Sequence, residues 1–347
     1  MKEKLWRFTD NLGSFASEGA HKIKSLYFPL ANEALMSSIS PDLHGDIKSG
    51  QDAFLMQPVS RIDLVALRSS RNFWAYINNN KVWSACGTSK DLKQIESDKF
   101  SLEAGLLWQK VTRENKGIGL KAEILSFVPA GGAPVEIMQV KLTNISSKDI
   151  KLTPTAAIPI YGRSAATIRD HRHVTSLLER ITPHKFGVVV RPTLLFNEAG
   201  HGINKADYFV LGWDENFRAP RHIYPTQEMF CGESGDLEAP ESVLNNSLPK
   251  KERIQGKEAM GALRFRPQVL KKGRSHTYII LMGISEDKRK ISEAINKFKT
   301  PADIQKALEE TKKFWIEKSR QVDVSTEDRD FDNWFRWMMR GNAARFF

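Results

Sequence analysis

Arg169, Asp170, His171, Arg172 and His173 occupy five consecutive positions in the stretch Tyr161 to Leu178, YGRSAATIRDHRHVTSLL, with Arg163 a few residues ahead. A guanidinium offers a planar fork of donors for carboxylate, phosphate or vicinal hydroxyls, and an imidazole donates or accepts near neutral pH. Both chemistries suit sugars and anions. The stretch follows a strand-like run (Ala156, Ile158, Ile160) interrupted by Pro159 and precedes another β-rich run, so it joins two strands, where function concentrates. The plainer reading pairs Asp170 with one arginine and half-buries the histidines, since ion-pair clusters are often structural. Spacing alone leaves both readings open.

Other chemistries lack their residues. His171 and His173 alternate in a pattern that a strand could use for a metal, but no further His or Cys sits at ligand spacing. Gly131, Gly132, Ala133 and Pro134 read as a turn rather than a phosphate-cradling loop, and no Gly-x-Ser-x-Gly elbow occurs. Cys86 and Cys231 stand far apart without a partner motif, which excludes a disulfide framework and points to a reducing cytoplasm. The first residues, MKEKLWRFTDN, carry no apolar signal region, and no apolar run approaches the length of a membrane span.

The 347 residues carry 52 basic and 41 acidic side chains, a formal net charge of +11 spread over a mixed surface. Nucleic-acid readers gather such charge on a stripe or helix; here only short runs such as 250–253 and 271–274 occur, so no nucleic-acid partner is expected. Attraction of a small anion such as phosphate fits the excess.

The elements that must position the charged stretch are mostly strands. From Leu5 to Trp83 turn signals recur about every ten residues, among them Gly13, Pro29, Pro41 and Gly50, as in an all-β sandwich. Tyr27, Phe28, Asn32, Asn72, Phe73 and Trp74 could together form a sugar site, though aromatics at strand spacing are ordinarily core, and Trp74 and Trp83 are placed inside. Leu120, Ala122 and Ile124 alternate with Lys121 and Glu123, and Val135 to Leu142 and Ile150 onward continue the pattern, which predicts two successive antiparallel hairpins. Segments 186–190, 193–196, 208–213, 262–265 and 276–284 read as further strands, the last central because it is apolar throughout. The stretch 214–256 reads as a long functional or partner-contacting excursion. At Ser285 the period becomes helical. Thr300-Pro301 starts a helix running to about Lys318, and Ser325 or Thr326 caps another whose aromatic Phe331, Trp334, Phe335 and Met338 find nothing here to cover them. The chain thus reads as mainly β, a large antiparallel β-sandwich over 1–284 followed by C-terminal linker α-helices over 285–347.

The runs at 25–60 (SLYFPLANEALMSSISPDLHGDIKSGQDAFLMQPVS), 69–74 (SSRNFW), 161–178 and 331–340 (FDNWFRWMMR) resemble the inverting glycoside phosphorylases of the cellobiose phosphorylase group, nearest in look to the branch acting on β-1,2-oligoglucan, with a β-1,3-acting relative as alternative. The resemblance implies a galactose-mutarotase-like super-sandwich, a helical linker, an (α/α)6 barrel carrying catalysis and a small C-terminal β-domain, of which this chain covers the first two. It also implies β-glucan oligosaccharide as substrate, inorganic phosphate as co-substrate, no cofactor or metal, and a missing catalytic barrel or partner subunit against the C-terminal helix. The general acid and phosphate site belong to that barrel, so no catalytic residue is carried over. By position, Arg163, Arg169, Asp170, Arg172 and His173 would border the acceptor side of an intact enzyme. Two other readings stand beside this one: a free-standing carbohydrate-binding module and the remnant of a truncated gene.

Overall fold

The computed structural model describes residues 5–23, 26–59, 67–197, 200–233, 235–320 and 322–343. Alternation in sequence becomes alternation in burial: in Trp108–Asn115 every second residue is buried, and Leu120–Phe127 pairs with it antiparallel, Val111 opposite Ile124. Extended to both sides, this pairing makes a ten-stranded antiparallel sheet. Its order is Arg7–Phe8, Phe15–Ser17, Lys99–Gly105, Trp108–Asn115, Leu120–Phe127, Val135–Asn144, Ser275–Ser285, Asp207–Asp214, Gly187–Pro192 and Glu179–His184. The facing six-stranded sheet runs His222–Thr226, Ala259–Arg264, Ile150–Pro159, Asn72–Ile77 and Lys81–Ser84, with Gln268–Leu270 also paired to Ile150–Pro159.

Between the sheets, Val140, Leu142, Tyr278, Ile280 and Met282 meet Phe73, Ala75, Leu152, Ala156 and Leu263 in one core. Each large side chain so buried contributes roughly 1.5–3 kcal/mol of transfer free energy. The seven helices are α1 (Leu92–Glu96), α2 (Arg172–Ser176), α3 (Gln227–Cys231), α4 (Glu241–Leu244), α5 (Lys288–Lys297), α6 (Pro301–Ser319) and α7 (Arg329–Ala343), counted over the described residues. Ile291, Ala294 and Phe298 of the α5 segment and Ile304, Ala307 and Leu308 of α6 cover the outer face of the large sheet, over Ile137, Phe209, Leu211, Trp213, Ile279 and Leu281. That second layer explains why Ser275–Ser285 is apolar on both faces. The Thr300 cap forms as expected: its Oγ1 accepts the Asp303 N–H at 3.2 Å, and its own N–H returns to Asp303 Oδ2 at 2.8 Å.

Four expectations are corrected. The chain turns at 144–149, but Ile150–Pro159 crosses to the opposite sheet instead of completing a second hairpin. The buried Asn144 directs this crossing, its amide donating to the carbonyls of Lys148 at 2.8 Å and Leu270 at 2.7 Å. The stretch 214–256 is no bare excursion: it contains His222–Thr226, α3 and α4, and Phe230, Cys231 and Val243 cover Trp74 and Met260 on the outer face of the smaller sheet. The last helix is capped by Asp328, whose Oδ1 accepts the Phe331 N–H at 3.0 Å, while Thr326 binds Asp332. Nor is that helix wholly uncovered. Trp337 packs on Phe15 and Phe28 at 5.1 and 5.8 Å between ring centroids, and the fully buried Asn333 accepts the Gly13 N–H at 3.0 Å. Gly13 has φ +84° and sits so close to α7 that a Cβ there would lie 3.0 Å from the Asn333 carbonyl oxygen. Phe331, Trp334, Met338 and Met339 do stay exposed. Phe346 and Phe347 lie outside the described residues.

A small sheet of Phe28–Ala31, Met36–Ile39, Ile47–Gly50 and Ala53–Phe54 is riveted to the sandwich by Arg71. This buried guanidinium binds Glu136 at 2.6 and 2.8 Å, Ser37 Oγ at 2.9 Å and the Gly45 carbonyl at 3.0 Å. At the far edge of the large sheet, the Gln255 side chain donates to the Ile181 carbonyl at 2.6 Å and accepts the Ile181 N–H at 2.9 Å.

Candidate functional site

The charged stretch leaves the smaller sheet at Pro159 and enters the edge strand of the larger one at Glu179. It folds into a one-turn 3-10 segment, Ala165–Thr167, and then α2, because Ser164 caps the first through the Ala166 N–H at 3.2 Å. Its inner end is fixed: Phe54 N–H donates to the Arg163 carbonyl at 2.9 Å, and Tyr161 O–H to the Ser164 carbonyl at 3.1 Å.

Arg163 is the one sequence-predicted residue drawn well inward. Its guanidinium stacks over Tyr161 at 4.6 Å, donates to the Tyr161 carbonyl at 3.1 Å and to Thr175 Oγ1, and stands 4.0 Å from Glu179 Oε1. Glu179 is fully buried; Oε2 accepts the Ala259 N–H at 3.0 Å, whereas Oε1 makes no hydrogen bond. Burial pushes its carboxyl up to about 8, with Arg163 opposing the shift only in part. Arg172, on α2, approaches Glu258 Oε1 at 3.7 Å, and Arg68 donates to Glu258 Oε2 at 3.0 Å and Gln227 Oε1 at 2.7 Å.

Gln57, Arg68, Tyr161, Arg163, Arg172, Gln227 and Glu258 line a dent of about 10 Å³, room for a single water. It cannot enclose a sugar ring. What it can do is hold the loop rigid while presenting the loop's outer face. Arg169, Asp170, His171, Arg172 and His173 are all exposed there, the two imidazoles 6.2 Å apart, beside Val174 and Leu177 at 63% and 60% exposure. The plainer pairing for Asp170 is not what forms: Arg163 and Arg172 turn to Glu179 and Glu258 instead. Half-burial of the histidines does not form either.

Reasoning from sequence missed Gln57, Arg68, Glu179, Gln227 and Glu258. Four of the five carry no local signal, since they reach the loop from distant segments. Glu179 does carry one: it shares the inward phase of its strand with Ile181, and a carboxylate in a buried phase marks a special site. Tyr27 is half-buried, and Trp74 and Trp83 are inside at 1% exposure each, so the aromatic cluster of the first strands is mainly core. Among the described residues no group of three or more His, Cys, Asp or Glu could hold a metal ion, and no helix is long and apolar enough to cross a membrane.

The family model described as "Glycosyl hydrolase 94, supersandwich domain" matches residues 68–301. No curated protein matches the sequence. Among solved structures, a putative kojibiose phosphorylase from the human microbiome aligns with a TM-score of 0.51 at 9% identity, over 98% of this chain and 43% of its own. A bacterial glucoamylase complexed with acarbose aligns with a TM-score of 0.50 at 8% identity, over 84% of this chain and 37% of its own. At such identities the likeness is one of fold, and this chain spans about two fifths of the length of either structure.

Proposed function

Because this chain belongs to the glycosyl hydrolase 94 supersandwich family, we propose that it is the N-terminal sandwich and linker of a β-glucan phosphorylase, with β-1,2-oligoglucan as the substrate. The sandwich occupies 1–284 and the linker 285–347. In the full enzyme a carboxylic acid protonates the glycosidic oxygen while inorganic phosphate attacks the opposite face of the sugar, releasing glucose 1-phosphate. The acid and the groups that bind phosphate belong to a barrel outside this chain. The part played here is to hold the outer face of the charged loop, Arg169, Asp170, Arg172 and His173 braced from behind by Arg163, against the acceptor side of that barrel. The protein works in the cytoplasm and carries no cofactor.

One observation carries this reading: the loop's inner side is tied down by Arg163 while its outer side, where Arg172 approaches Glu258 but stays exposed, is open with two apolar neighbours, an arrangement suited to meeting another body. The open face of α7, with Met338 and Met339 exposed, supports the same view. This chain, incubated with β-1,2-oligoglucan and phosphate, should release no glucose 1-phosphate. Turnover by the chain alone would overturn the assignment of catalysis to a separate barrel.

A further inference from the structure

We propose that the cleft between residues 5–8 and the first turns of α7 binds a neutral oligosaccharide, a short β-linked glucan chain, apart from the charged loop. The identity of the sugar rests on the reading above; the rest stands on the cleft itself. Trp6, Phe331 and Trp334 are 42%, 43% and 48% exposed, and they line a cleft of about 620 Å³, within the range of small-molecule sites. Three large rings bared along one groove form a patch that calls for an occupant, and the apolar C–H face of a pyranose stacks on such rings.

The rings are held in place. Trp6 is braced edge-on by Phe8 at 4.9 Å and Phe15 at 6.0 Å between centroids. Phe331 and Trp334 lie 5.9 Å apart with 37° between their planes, so α7 presents them as one shelf. Asp328 sets where the shelf begins, because its Oδ1 accepts the N–H groups of Asp330 and Phe331 at 2.9 and 3.0 Å. Among the described residues the cleft is also lined by Arg7, Arg329, Asp328 and Asp330, two guanidiniums against two carboxylates. This balance favours neither an anion nor a cation. Hydroxyls can meet both donors and acceptors there while the charged heads stay wet, whereas a partner's apolar helix would have to desolvate all four. Met338 and Met339, farther along α7 and outside the cleft, are left for contact with a neighbouring body.

The test is isothermal titration calorimetry of the full chain with β-1,2-, β-1,3- and β-1,4-linked glucan oligosaccharides, read alongside quenching of indole fluorescence. Trp334→Ala and Trp6→Ala should each weaken binding about tenfold or more, as loss of one stacking ring implies. Lys272→Ala, at an exposed turn residue outside both the cleft and the charged loop, should leave it unchanged, Arg172→Ala reports on the loop, and the melting temperatures of all variants serve as the check on folding. Should one tryptophan variant fail to fold, Phe331→Ala replaces it. Equal affinity in the tryptophan variants, or loss only with Arg172→Ala, would place the sugar on the loop and overturn the cleft. No binding heat with any oligosaccharide would overturn it as well, as would self-association abolished by Trp334→Ala without sugar binding, which would mark a protein interface. Glucose 1-phosphate release by the chain alone would overturn the assignment of catalysis to a separate barrel and leave the cleft standing.

Discussion

Arg71 and Arg163 each lie against a fully buried glutamate, yet the two pairs end in opposite states. Arg71 grips Glu136 through two short bonds and spends its remaining donors on Ser37 and backbone carbonyls. Arg163 stops 4.0 Å short of Glu179 and gives its hydrogen bonds to Tyr161 and Thr175. A completed buried network fixes structure and has nothing left to offer a ligand. The incomplete pair instead keeps a loop taut and leaves a carboxyl that burial holds protonated near neutral pH. The first riveting point lies deep between two sheets, the second directly beneath the exposed charged face. Position in the fold, rather than residue type, separates the anchor from the site.

The contrast can be broken in four ways. Arg71→Ala strands the Glu136 charge in the interior, so it should cost about 3–5 kcal/mol in denaturant unfolding. A loss below 1 kcal/mol would mean that the network is not anchoring the small sheet. Glu179 should impose a pH dependence on stability. Its carboxyl rises from 4.5 to about 8 on folding, so the folded chain holds a proton that the unfolded chain releases. Stability is fully present below about pH 4.5 and is lost as the pH rises to about 8. Glu179→Gln should flatten that decline, gaining stability at pH 8 and little at pH 4; parallel urea midpoints for the two proteins would refute the shift. Arg163→Met removes hydrogen bonds but strands no charge at neutral pH, so a loss of ~1–2 kcal/mol is expected, with faster proteolysis within 161–178. Asp170→Asn should change stability by less than ~0.5 kcal/mol, as an exposed residue outside the ion pairs does.

The layers were legible because their signals are local. Alternation across Trp108–Asn115 and Leu120–Phe127, the apolar run within Ser275–Ser285 and the Thr300-Pro301 start each encode one element, and each formed. The crossing after Asn144 was not legible, since a turn residue says nothing of which sheet receives the next strand. The loop was found by its charge density, but its orientation was decided by Glu179 and Glu258, whose approach depends on how the two sheets stack. Trp337 illustrates the same limit on the helical side: helical spacing exposes or buries it equally well until Gly13 brings the first hairpin beneath it.

The amide of Gln255, by occupying the hydrogen-bonding groups of Ile181, acts as a stopper on the open margin of the large sheet. A strand from another molecule finds the middle of this border already taken, so copies of the protein cannot zip together there through their main chains. Any association along this flank must be chosen by side chains, which keeps it specific.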